Sequence, residues 1–160
     1  MRIQLVGFDF NLNPIQKVEV FREVVNQSKA DFILFPGHTL RDEDDLEYLK
    51  SRLTNKDSVV VLELESACPT SCMQVRNELY ILKNGKFQDM YSCQIFSKAS
   101  DLVNNTIPVE KLFDEISRRT IECCSKRITI LQCGETSLLA SSKSENYEAS
   151  FRFKHNSNLL

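Results

Sequence analysis

Three apolar runs, at 3–10, 31–36 and 58–65, alternate with two stretches in which apolar residues recur at helical spacing. The runs are short and nearly continuous, and they are closed by Asn11, by Pro36-Gly37 and by a polar segment. Such runs read as strands buried on both faces. In the first stretch Asn13 is placed to cap a helix and Pro14 suits its first turn. Ile15, Val18, Phe21, Val24 and Val25 follow at helical spacing, which predicts a helix over 14–29. In the second, the acids of Arg41-Asp42-Glu43-Asp44-Asp45 favour a helix N-terminus, and Leu46, Leu49 and Leu53 carry the helix on, over 42–55. Strands alternating with helices imply right-handed crossovers. The expectation is an α/β fold with three parallel neighbouring strands and both helices on one face.

The pattern then changes. Residues 77–83 and 86–96 flank Asn84-Gly85, and Asn-Gly favours the type I′ turn of a β-hairpin. Residues 97–108 are polar and read as loop. Pro108 opens a helix with Leu112, Ile116 and Ile121 on its apolar side and with Cys123 and Cys124 adjacent further along it. A strand is expected over 127–132, ending in Cys133-Gly134-Glu135, and a late half-exposed strand over 149–154. No repeat and no glycine-rich phosphate loop is present, and the chain reads as one domain over 1–160.

Composition narrows the functional classes. A chain of 160 residues buries roughly two thirds of its unfolded surface and needs no disulfide staples. Hydrophobic residues make up 42% and charged residues 26%, which suits a globular protein. With 20 basic and 22 acidic side chains the net charge is -2, too balanced to steer the chain to nucleic acid or an anionic membrane. No apolar run reaches membrane-spanning length, and Met1-Arg2-Ile3-Gln4-Leu5 reads as a strand rather than a signal peptide. The six cysteines, Cys68, Cys72, Cys93, Cys123, Cys124 and Cys133, therefore read as reduced thiols of a cytoplasmic protein. Cys68 and Cys72 have no second pair of similar spacing, and His38 and His155 lie far apart in sequence. No metal site and no cofactor is expected.

Several local patterns come in a telling order: Ala30-Asp31-Phe32-Ile33-Leu34-Phe35-Pro36, then Val59-Val60-Val61-Leu62, then 77–86 with its Asn84-Gly85 turn. Tyr91 with Phe96 follows, and finally Ile130-Leu131-Gln132-Cys133-Gly134-Glu135. Together they resemble the carbon–nitrogen hydrolase (nitrilase) superfamily from Met1 to about Glu135. The resemblance implies a four-layer α-β-β-α sandwich with a mixed sheet. It also implies that this chain, incomplete or truncated against that fold, lacks the family's C-terminal part. An apolar sheet face left uncovered implies a homo-oligomer. The ligand implied is a small amide or nitrile.

The family cleaves carbon–nitrogen bonds with a glutamate, a lysine and a cysteine. The thiolate attacks the substrate carbon, the glutamate removes the thiol proton, and the lysine stabilises the developing charge. Cys133 matches the nucleophile, and Glu135 fits the acidic residue that often follows it. Gly37 stands where the glutamate belongs and Cys93 where the lysine belongs. His38, Glu63, Glu65, Lys83 and Lys98 are candidates to substitute, His38 first. Two functions stay open: a catalytically impaired or non-catalytic relative that binds a small molecule or a partner, and an active hydrolase that uses Cys133 with a replacement base.

Overall fold

The computed structural model describes residues 1–9, 11–64, 78–88, 92–93 and 109–132. These fall into two compact units, 1–64 with 78–88, and 92–93 with 109–132. No helix among the described residues is long and apolar enough to cross a membrane.

The first unit is a mixed five-stranded sheet with two helices. Its elements are β1 (Ile3–Leu5), α1 (Pro14–Gln27), β2 (Phe32–Leu34), α2 (Glu43–Lys50), β3 (Val59–Leu64), β4 (Glu78–Lys83) and β5 (Lys86–Phe87). Strand order is β1-β2-β3-β4-β5. The first three strands are parallel neighbours, with Ile3 opposite Phe32 and Phe32 opposite Val59. β4 runs antiparallel to β3, with Glu63 opposite Leu79, and β5 returns antiparallel to β4. The expected βαβαβ order is therefore present, and the hairpin converts the sheet to a mixed one.

Local chemistry sets the helix ends. Asn13 caps α1 by accepting from the Gln16 amide at 2.9 Å, while the Gln16 side chain accepts from the Asn13 amide at 2.9 Å. This reciprocal pair satisfies two otherwise orphaned donors. Asp42 caps α2 through the Asp45 amide. α2 is shorter than the expected 42–55: after Lys50 the chain turns, and Asn26 of α1 fixes it by accepting from the Thr54 amide at 2.7 Å. β1 and β2 are likewise shorter than their apolar runs. β1 loses its partner where β2 turns away at Pro36, and an Asx turn at Asp9 and Asn11 draws the chain toward α1.

Both helices bury their apolar sides against one face of the sheet. Val18, Phe21 and Val25 of α1 join Leu46 and Leu49 of α2 and Leu53 beyond it, over Ile33, Phe35, Val60, Leu62, Leu64 and Leu82. The opposite face is also apolar. Phe32, Val59, Val61, Leu79 and Ile81 are buried, and Glu63 lies in the same row as Val59 and Val61. On β1 that face stands open, with Ile3 56% and Leu5 73% exposed.

The second unit contains β6 (Ser92–Cys93), α3 (Val109–Arg118), β7 (Thr120–Cys123) and β8 (Lys126–Thr129). β7 and β8 form an antiparallel hairpin. This corrects the reading of Ile121, Cys123 and Cys124 as helical. Ile121 and Cys123 alternate on a strand and are buried, while Cys124 and Ser125 form the turn at φ of 50° and 59°. Two successive positive φ angles make a type I′ turn. Inside the unit the Arg119 side chain is 1% exposed and its Nε donates to Ser92 Oγ at 2.5 Å. Ser92 Oγ donates in turn to Glu115 at 3.1 Å. The expected strand over 127–132 is present over Lys126–Thr129. The late strand expected over 149–154 lies outside the described residues, as do Cys133, Glu135, Glu65 and Lys98.

Candidate functional site

Parallel α/β sheets gather their sites at the carboxyl ends of the strands. In the first unit that edge is built by the segment that leaves β2. The Phe35 amide still bonds to the Val61 carbonyl at 3.0 Å, continuing the ladder. Pro36 has no amide hydrogen to continue it, and 36–38 loop outward. The chain then rejoins β3: the Thr39 and Leu40 amides both donate to the Glu63 carbonyl, at 3.1 and 3.3 Å. Leu40 pairs with Leu64 in an isolated parallel bridge. The Thr39 hydroxyl donates back to the Pro36 carbonyl, and Thr39 is fully buried. The loop is thus pinned at both ends.

Within this loop His38 is exposed and has φ of 57°. A non-glycine residue held there carries backbone strain of order 1–3 kcal/mol. Gly37, beside it, is also exposed. A Cβ on Gly37 would sit 2.9 Å from Glu63 Oε2 and 3.7 Å from Glu63 Cδ. The end of the Glu63 side chain therefore lies in the space that a side chain on residue 37 would enter. Glu63 is half-buried, at the carboxyl end of a row otherwise made of Val59 and Val61.

No family model, curated protein or solved structure matches this chain. The arrangement can be judged on its chemistry alone. It brings an imidazole, a carboxylate and an open backbone at Gly37 to one sheet edge. A carboxylate accepts hydrogen bonds, and an imidazole can give or take one. Among the described residues no group of three or more His, Cys, Asp or Glu is placed to hold a metal ion.

Of the sequence candidates, the structure brings His38 and Glu63 to the same edge. Lys83 lies at the other end of the sheet, opposite Lys86 in the β4–β5 hairpin, and does not share it. The backbone of Cys93 belongs to β6 in the second unit. Two clefts in the first unit lie elsewhere. One of about 440 Å³ is lined by Glu43, Lys50, Tyr80 and Phe87 among others, and one of about 300 Å³ by Ile15, Glu19, Arg41 and Tyr48 among others. Their charged groups are largely matched to each other: Tyr48 donates to Glu19 at 2.7 Å and Arg41 bridges Asp45 at 2.8 Å.

Sequence reasoning named Glu63 among five candidates and put His38 first. The signal that could have singled out Glu63 is the pairing of a glycine after Phe35-Pro36 with an acid at the end of the adjacent strand.

Proposed function

We propose that this chain is a nitrilase-like protein, related to the carbon–nitrogen hydrolases and built on part of their α-β-β-α sandwich, that is catalytically impaired as a hydrolase. The reading is supported by the three parallel strands, the middle one of which, β2, runs into the Pro36 loop, where the resemblance puts the family's glutamate. Impairment follows from Gly37 and Cys93 at the glutamate and lysine positions. General-base assistance contributes about 10²–10⁴-fold, and loss of a charge-stabilising group costs about 10²–10³-fold more. A cysteine thiol without such help has an ordinary pKa near 8.5 and is little ionised at neutral pH.

The experiment is a panel of simple amides and nitriles assayed with the full chain and with Cys133→Ala. No appreciable turnover is expected from either. Turnover that disappears in Cys133→Ala would overturn the impairment. It would establish the second reading, an active hydrolase with Cys133 as nucleophile, which the carboxylate beside Gly37 favours.

The same reading makes the chain a cytoplasmic homo-oligomer. Cys124 is a free, exposed thiol, which suits a reducing compartment. The open apolar row of Ile3 and Leu5 on the edge strand β1 suits a subunit contact. Leu5→Lys is expected to shift the mass measured by light scattering toward that of a single chain; a wild-type protein already monomeric at high concentration sinks this part.

A further inference from the structure

We propose that the cleft between α2 and the β4–β5 hairpin binds a small primary amine, whose ammonium sits on the Glu43 carboxylate and whose apolar body lies against the side chains of Tyr80 and Phe87.

The cleft holds about 440 Å³, within the range of small-molecule sites, about 300–1,000 Å³. α2 supplies Glu43, Glu47 and Lys50 to its lining, and the hairpin with the residue after it supplies Tyr80, Phe87 and Gln88. The spacing i, i+4, i+7 sets the three charged residues on one side of the helix. Their charges do not cancel. Lys50 Nζ lies 2.5 Å from Glu47 Oε2, which matches that pair. Among the described residues no ion pair or side-chain hydrogen bond engages the Glu43 carboxylate. One negative charge is therefore left over.

The other polar groups of the cleft add an acceptor. Gln88 Nε2 donates to the Lys83 and Lys86 carbonyls at 3.5 and 3.3 Å, so Oε1 is the atom of that amide left for a ligand. The Tyr80 hydroxyl donates to Glu78 at 3.1 Å, which leaves ring surface as what Tyr80 adds to the wall. Tyr80 and Phe87 are half-buried and pack against the core. An excess carboxylate and an amide oxygen call for a cation that carries N–H, and two rings favour a cation with an apolar body. A primary amine, with an ordinary pKa of about 10.4, is that group at neutral pH. A quaternary ammonium has no N–H, and an alcohol has no charge. Glu43 also stands in the first turn of α2, where an acid complements the helix dipole; that role alone predicts no ligand. The ligand is a cation, not the neutral amide of the nitrilase-like reading, and neither result decides the other.

The test is ligand-detected NMR titration of the full chain with phenethylamine, phenethyl alcohol and tetramethylammonium at neutral pH. Saturable binding is expected for the amine, about tenfold or more tighter than for either comparison compound. Glu43→Gln is expected to weaken the amine about tenfold and to leave the alcohol unchanged. Its melting temperature stays near that of the wild type, because the side chain is exposed. Glu23→Gln removes an exposed charge of α1 outside the cleft and leaves the amine's affinity as it is. Lys50→Gln releases Glu47 and is expected to tighten the amine several-fold. Absence of saturable binding by phenethylamine overturns the proposal. So does equal affinity for either comparison compound, or wild-type affinity in Glu43→Gln. A Glu23→Gln variant weakened as much as Glu43→Gln, or a Lys50→Gln variant that binds no tighter than the wild type, overturns it too.

Discussion

Asn55 Nδ2 lies 3.0 Å from Ser58 Oγ, whose hydroxyl donates to the Ala30 carbonyl at 2.6 Å. The same amide group reaches the Val25 and Ser28 carbonyls at 2.9 and 3.1 Å, while Asn55 Oδ1 accepts from the Asp57 and Ser58 amides. One half-buried side chain thus ties the end of α1 to the start of β3. Asn55→Ala leaves several of these groups unpaired and is expected to lower stability by about 2–3 kcal/mol. Urea unfolding should show a lower midpoint with an unchanged slope; an unchanged midpoint would mean that water replaces the amide freely.

Phe21 is fully buried and its ring centroid is 4.4 Å from that of Phe35. Phe35 also stands at 5.9 Å from Phe8. The cluster joins α1 to the strand that feeds the Pro36 loop. Phe21→Ala is expected to cost about 3–5 kcal/mol through lost burial and the cavity left behind. A loss below 1 kcal/mol by calorimetry would show that the core collapses around the change.

His38 holds a left-handed backbone, φ 57°, without being glycine. His38→Gly relieves that strain at some entropic cost and is expected to be neutral or to stabilise the fold by up to about 1 kcal/mol. A β-branched replacement, His38→Val, should destabilise instead. If both variants melt alike, the loop is not held in this conformation in solution.

The Tyr48 phenol is raised above its ordinary value of 10.0, chiefly by the hydrogen bond to Glu19, then by desolvation and by the charge of Glu19. A group whose folded pKa is raised contributes stability that is fully present below the unfolded value and lost as pH climbs through the folded one. The Tyr48–Glu19 contribution should therefore persist through neutral pH and vanish in the alkaline range above 10.0. Ultraviolet titration of wild type and Tyr48→Phe reads it directly. A tyrosine titrating at or below the ordinary value, absent from the variant, would count against the bond.

Much of the first unit is legible in the sequence because its signals are local. Continuous apolar runs specify buried strands, the 3.6-residue period specifies α1 and α2, and Asn13 with Gln16 marks a helix start. Asn84 and Gly85, at φ of 54° and 71°, take the turn that an Asn-Gly pair favours. The second hairpin is not legible in the same way. Cys124 and Ser125 adopt a like turn without the usual residues, so the Ile121–Cys123 alternation was submerged in the preceding helical period. Ile15 shows the opposite failure: it fits the helical spacing, yet it is 71% exposed, with nothing among the described residues of the first unit packed over it.

By itself the sequence determined the order and type of the early elements and the parallel core strands. These follow from periodicity, caps and residue identity, which act over a few residues. Tertiary structure alone decided that Glu63 fills the space beside Gly37. That depends on where the chain rejoins β3 after Pro36, through the Thr39 and Leu40 amides on the Glu63 carbonyl. Contacts between distant strands are set by sheet register and loop path, and neither is written in the local pattern of side chains.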